Sequence, residues 1–246
     1  YNPSNNKETP ETIYDRNYQD RYTDPGSFHT KRNKFGRYTL EVKDNKLFLL
    51  GDGYSKEGKF PFIDEFDIKT KDTKRLFQVT ATDKLESISR IIDVDKGEIL
   101  VRIESKNEYP NYYIKNYKKK KGLEPVTQFK NPFSSIQNVH KEVIKYKRED
   151  GLELSGTLYL PTDYEKGKKY PMIMWAYPEE YKDKNSAGQN TKNSNEFTYP
   201  WYGSPIYWVT RGYVVLDDAS FPIVGEGDEE PNDSFVSQLV SNGKAA

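Results

Sequence analysis

Between Phe35 and about Phe129, four short apolar runs, each closed by a turn, recur in the same order at a spacing of roughly 50 residues. In the first copy Tyr38, Leu40 and Val42 alternate with polar neighbours, Asp44-Asn45 turns the chain, and Leu47 to Leu50 returns it as an antiparallel partner. Phe62 to Ile68 and Arg75 to Val79 follow, divided by a polar hairpin over Lys69 to Lys74. The second copy reads Ile88 to Val94, Ile99 to Ile103, Tyr112 to Tyr117 and Val126 to Phe129, with a lysine turn at 118–121. Pro61 and Pro110 hold equivalent places. No helical stripe competes with this period-two pattern, so the half is all-β. Four strands per copy is the signature of β-propeller blades; an ordinary β-sandwich is the plainer alternative. Two blades cannot close a ring, so the pattern implies more chain than these residues.

After Asn131-Pro132 the character changes. Val143 to Tyr146, the Glu149-Asp150-Gly151 turn and Leu152 to Leu160 predict a hairpin. Pro171 to Ala176 is a continuous apolar run, as in a central strand buried on both faces. Ile206 to Arg211, stopped by Gly212, suits a short helix, and Tyr213 to Leu216 is a second buried run. Asp233 or Ser234 is placed to cap a helix from Phe235 onward, with Val236, Leu239 and Val240 at helical spacing. The predicted architecture is partial β-propeller blades over residues 1–131, then the N-terminal part of an α/β-hydrolase domain over 132–246.

Composition narrows the chemistry. Thirty-eight basic residues balance 38 acidic ones, which gives no net field to attract nucleic acid. No apolar run reaches the roughly 18 residues of a membrane span. With no cysteine, thiolate nucleophiles and Cys-ligated metals are excluded, and any histidine-dependent site must use His29 or His140. The 35 aromatic residues, 20 Tyr, 12 Phe and 3 Trp, argue for a folded chain. The G-x-S-x-G string of a hydrolase nucleophile elbow does not occur.

Several long strings resemble the prolyl oligopeptidase family of serine peptidases, and in particular its glutamyl endopeptidase-like branch. They are Asp15 to Gly26, Tyr146 to Gly151 with Gly156 to Pro161, Trp175 to Lys182, Ala187-Gly188-Gln189 and Pro222 to Asp233. The resemblance covers nearly the whole chain after Ile13. It implies a propeller gating a hydrolase domain that cleaves a peptide substrate through an acyl-enzyme, with no cofactor and no metal. It also implies that nucleophile, acid and base lie beyond residue 246, so that the remainder of the polypeptide is a required partner and these residues alone are inactive. By the same resemblance Tyr177, through hydroxyl or backbone, contributes to the oxyanion hole, with Trp175 as the alternative. His29 and His140 precede the hydrolase core and are read as structural or surface residues.

Remaining features take plainer readings. Glu226, Asp228, Glu229, Glu230 and Asp233 lack cation-loop spacing and suit a solvated loop before a helix N-terminus. Gly225-Glu226-Gly227 lacks the third glycine of a phosphate loop, and the lysine turn suits a hairpin tip. The aromatic cluster from Phe197 to Trp208 packs a loop or lines a pocket. Competing with the peptidase reading are a non-catalytic propeller that holds a glycan or protein partner, and a hydrolase acting on esters.

Overall fold

The computed structural model describes residues 7, 9–119 and 122–246, so Lys120 and Lys121 of the lysine turn lie outside the described residues. The fold is mostly β with little helix, built around three four-stranded sheets.

The first sheet is a meander in the order β1 (Ser27–Phe28), β4 (Lys46–Gly51), β7 (Phe62–Asp67), β8 (Thr73–Gln78). Two small hairpins interrupt it, β2 (Thr30–Arg32) with β3 (Tyr38–Leu40), and β5 (Tyr54–Ser55) with β6 (Gly58–Lys59). Asp44 and Asn45 do turn the chain, at φ 47° and 60°. The strand before that turn, however, pairs with β2, and only a Lys43–Lys46 bridge joins it to β4. Phe28 is the reason: β1 takes that edge of β4, and the Phe28 ring meets Phe66 edge-on at 5.8 Å. Tyr38 and Val42 are consequently exposed instead of facing a core.

The second sheet runs β9 (Leu85–Asp93), β10 (Glu98–Glu104), β11 (Asn111–Asn116), β12 (Glu124–Pro125). Its last strand is shorter than predicted and lies upstream of Val126. The Asn111 side chain takes over from the ladder, accepting from Phe129 N at 2.6 Å and from Thr127 Oγ1 at 2.9 Å. The two sheets share one core, in which Phe48 and Ile63 pack with Ile91, Ile99 and Val101.

The third sheet has the order β13 (His140–Lys147), β14 (Glu153–Leu160), β16 (Val214–Val224), β15 (Met172–Tyr181). The predicted hairpin forms: β13 and β14 pair antiparallel along their whole length. β16 is antiparallel to β14 and parallel to β15. Between β15 and β16 lie α1 (Lys184–Ala187) and a 3-10 turn over Pro205–Arg211, stopped by Gly212 at φ 80°. β15 is the margin of this sheet among the described residues, where the apolar run predicted a central strand. It also continues past the predicted run, through Tyr177-Pro178 to Tyr181.

β16 outlasts its predicted end at Leu216 because a bulge absorbs Asp217 and Asp218. Met174 pairs with Leu216 and Ala176 with Ala219, so two residues of β16 oppose Trp175 alone, and Asp218 sits at φ 50°. Pro222 is tolerated because β14 has left β16 by then, leaving one side of the strand free.

The closing helix, α2 (Phe235–Ala245), meets β16 through polar groups. Val236 and Val240 are exposed, contrary to their helical spacing, while Asn242 is fully buried. Arg148 organises this contact. Its guanidinium grips both oxygens of Asp150 at 2.9 Å and donates to Asn242 Oδ1 at 2.9 Å. Asn242 Nδ2 in turn donates to Pro222 O, also at 2.9 Å. A buried cation is tolerated only when its donors are matched in this way.

Candidate active-site cleft

Beside the C-terminal end of β15 is an open cleft of about 650 Å³. Tyr177 and Tyr181 line one wall, Tyr18 and Arg21 the other, with Gln189 at the seam. Along β15 every second side chain shares a face, so Tyr177, Glu179 and Tyr181 form a row. Tyr181 Oη donates to Glu179 Oε2 at 2.7 Å, and burial raises the pKa of the Tyr181 phenol. Tyr177 is 79% exposed and its hydroxyl makes no hydrogen bond among the described residues, so it is available to a ligand. Trp175, half-exposed opposite the bulge, does not line the cleft.

The second wall is a strap of irregular backbone, Asn17 to Thr23, docked on the segment that follows β15. Asn17 Nδ2 reaches Asp183 Oδ2 at 2.6 Å and Ser186 Oγ at 3.1 Å. Asp183 is also the N-cap of α1 and accepts from Ser186 N at 2.7 Å. Gln19 Nε2 donates to Glu180 O at 2.7 Å. Gln189 is used at both ends: its Oε1 accepts from Arg21 N and its Nε2 donates to Asp20 Oδ1, each at 2.7 Å. That donation from Gln189, with others from Thr23 and Tyr22, lowers the Asp20 pKa. Two strings that carry the family resemblance, 15–26 and 187–189, thus recognise each other, although the sequence reading gave neither a role in a site.

The other predicted residues lie apart from the cleft. His29 is buried with Nε2 3.1 Å from Glu41, and burial lowers its pKa. His140 begins β13, half-exposed and 3.7 Å from Glu142. The acidic loop is dispersed: Glu230 pairs with Lys182 at 2.8 Å and forms a capping box with Asp233, while Glu226 accepts from Lys184 N. Among the described residues no group of three or more His, Asp or Glu could hold a metal ion. Among the described residues no helix is long and apolar enough to cross a membrane. Lys118 Nζ caps Val94 O and Asp95 O at 2.9 and 3.0 Å. Phe197 and Tyr199 of the aromatic cluster pack on Tyr109 and Phe133, tying the third sheet to the second.

No family model matches the chain. It is similar over 99% of its length to two curated proteins named probable glutamyl endopeptidase, chloroplastic. The one from Oryza sativa subsp. japonica is 36% identical over 259 residues, and the one from Arabidopsis thaliana 35% identical over 260. The chain is related in sequence to the prolyl oligopeptidase family of peptidases. Within that family its similarity lies with the glutamyl endopeptidase branch, and it spans 28% and 27% of the length of those two relatives. Among solved structures it resembles a post-proline cleaving enzyme from Rickettsia typhi (18% identity, TM-score 0.47) and oligopeptidase B from Leishmania major (11% identity, TM-score 0.47). Each comparison covers 84% of this chain and 28% of the other.

Proposed function

We propose that the chain is a segment of a serine peptidase, with propeller blades over 1–131 that gate access to a hydrolase domain opening at 132–246. The observation that carries this reading is the third sheet: an antiparallel hairpin, then a third strand leading into the first helix, and a fourth strand inserted between second and third. The two antiparallel meanders packed face to face support the blades. The names of the two plant relatives support peptide-bond hydrolysis.

In this reading the nucleophile, base and acid come from chain beyond residue 246, and the free edge of β15 receives the strand that carries the serine. The serine oxygen attacks the peptide carbonyl carbon while histidine takes its proton. Histidine then returns that proton to the leaving amine, and water hydrolyses the acyl-enzyme. In α/β-hydrolases an oxyanion donor comes from near the junction after the third strand; here that strand runs to Tyr181, and Tyr177 lies in its C-terminal half, beside the cleft. Tyr177 is the donor we assign, through its unengaged hydroxyl or its backbone, and Trp175 is the alternative. Tyr18 and Gln189 contribute the opposite wall against which a peptide lies.

The test is labelling of the full natural chain with a fluorophosphonate probe. Covalent labelling that a peptide substrate suppresses is expected, and an unlabelled, folded protein would refute the assignment.

A further inference from the structure

A separate cavity of about 300 Å³ lies between the β5–β6 hairpin, the link from β8 to β9, β13 and the 190–195 loop. Five lysines line it: Lys56 and Lys59 of the β5–β6 hairpin, Lys84 ahead of β9, Lys145 of β13 and Lys192 of the loop before the 3-10 turn. Glu57 is the single carboxylate in the lining. In a chain whose total charge is balanced, this is a local excess of cations.

The excess survives pairing. Lys59 and Lys192 are sheltered, with side chains 16% and 14% exposed, and their partners Asp52 and Asp218 face solvent at 51% and 75%. Both carboxylates lie outside the lining and toward solvent, where salt screens them. Lys84 pairs with Glu108 at 2.6 Å, also outside the lining. Lys56 and Lys145 have no carboxylate within 4.0 Å among the described residues. The walls are tied together in advance, because Asn195 Nδ2 donates to Thr82 O at 2.9 Å and Ser194 Oγ accepts from Val143 N at 3.3 Å.

We propose that this cavity binds a small multivalent oxyanion of the phosphate class. Flexible lysine side chains drawn from separate elements suit a compact anion with many acceptor directions. No arginine lines the cavity, so recognition rests on ammonium point charges, whose attraction grows with the charge density of the anion. The volume falls in the range of small-ligand pockets. A bound anion would tie the two meanders to the third sheet. The proposal stands independently of the peptidase reading.

The test is calorimetric titration of the full natural chain with pyrophosphate at fixed ionic strength, with citrate as the second arm. Saturable binding in the millimolar range or tighter is expected, with pyrophosphate stronger than citrate. The exposed pair Lys56→Ala/Lys145→Ala should weaken it by about tenfold or more, with circular dichroism verifying the fold. Absence of saturable heat, unchanged affinity in that double variant, or citrate binding more tightly than pyrophosphate would each overturn it.

Discussion

Gln189 and Asp20, separated by 169 positions, are joined side chain to side chain by a hydrogen bond of 2.7 Å from Nε2 to Oδ1. Gln189 holds the strap from its other end as well, through Arg21 N. Gln189→Ala should therefore loosen residues 17–23 locally, at about 1 kcal/mol for each lost bond, without melting the sheets. Hydrogen exchange should accelerate in the strap and stay unchanged in β14.

The same contact carries a pH dependence. Because the folded-state pKa of Asp20 is depressed below its ordinary 3.8, its contribution is complete above that value and is lost as pH falls through the folded-state value. Docking of the strap should hold at neutral pH and weaken only in acid below 3.8. Gln189→Ala should shrink that acid sensitivity, as read by exchange or limited proteolysis of the strap across a pH series.

Arg148 is buried and bonded to Asp150, Asn242 and Gln238, so Arg148→Ala leaves three polar partners without their cation. A loss of about 3 to 5 kcal/mol is expected. Arg148→Lys should recover only part of it, since an ammonium cannot grip both Asp150 oxygens and reach Asn242 together. Thermal unfolding measures both, and an Ala variant as stable as the parent would contradict the network.

Ile63 and Ile99 are fully buried on facing sheets. Each replaced by Ala should cost about 2 to 5 kcal/mol. As members of one core they should couple, and the double variant should differ from the summed single losses by about 0.5 kcal/mol or more. Strict additivity in denaturant titrations would indicate two independent cores.

Tyr177→Phe separates catalysis from folding. The hydroxyl has no protein partner among the described residues, so stability should change by less than about 0.5 kcal/mol. In the full natural chain kcat should fall by about 10²- to 10³-fold if that hydroxyl meets the oxyanion. An unchanged kcat would exclude the hydroxyl and leave the backbone of Tyr177, or Trp175.

The sequence reads most clearly where local chemistry decides. Asp44-Asn45, Gly151 and Gly212 mark their turns because each adopts positive φ. The two meanders follow from period-two alternation. What escapes the sequence depends on partners far along the chain. Phe28 claims the edge of β4 only because Phe66 waits across the sheet. The apolar run at Pro171 to Ala176 signals burial in general and cannot say which neighbour lies on which side. Val236 and Val240 mimic a core stripe, yet Gln238 and Asn242 face β16, since Arg148 supplies a polar seat there. The cleft is half legible: the resemblance singles out Tyr177 and also the string that holds the Asn17–Thr23 strap, but gives that strap no place beside β15, because its docking rests on Gln19, Gln189 and Asp183 far apart in the chain.

A strand with one neighbour is also an invitation. Among the described residues β15 is paired on one side only over its ten residues, and its charged side chains, Glu179 and Glu180, form no lysine fence; on the other side Gln19 already engages Glu180 O. Produced as this piece by itself, the polypeptide should stick to copies of itself margin to margin. Light scattering across a concentration series reads that association directly.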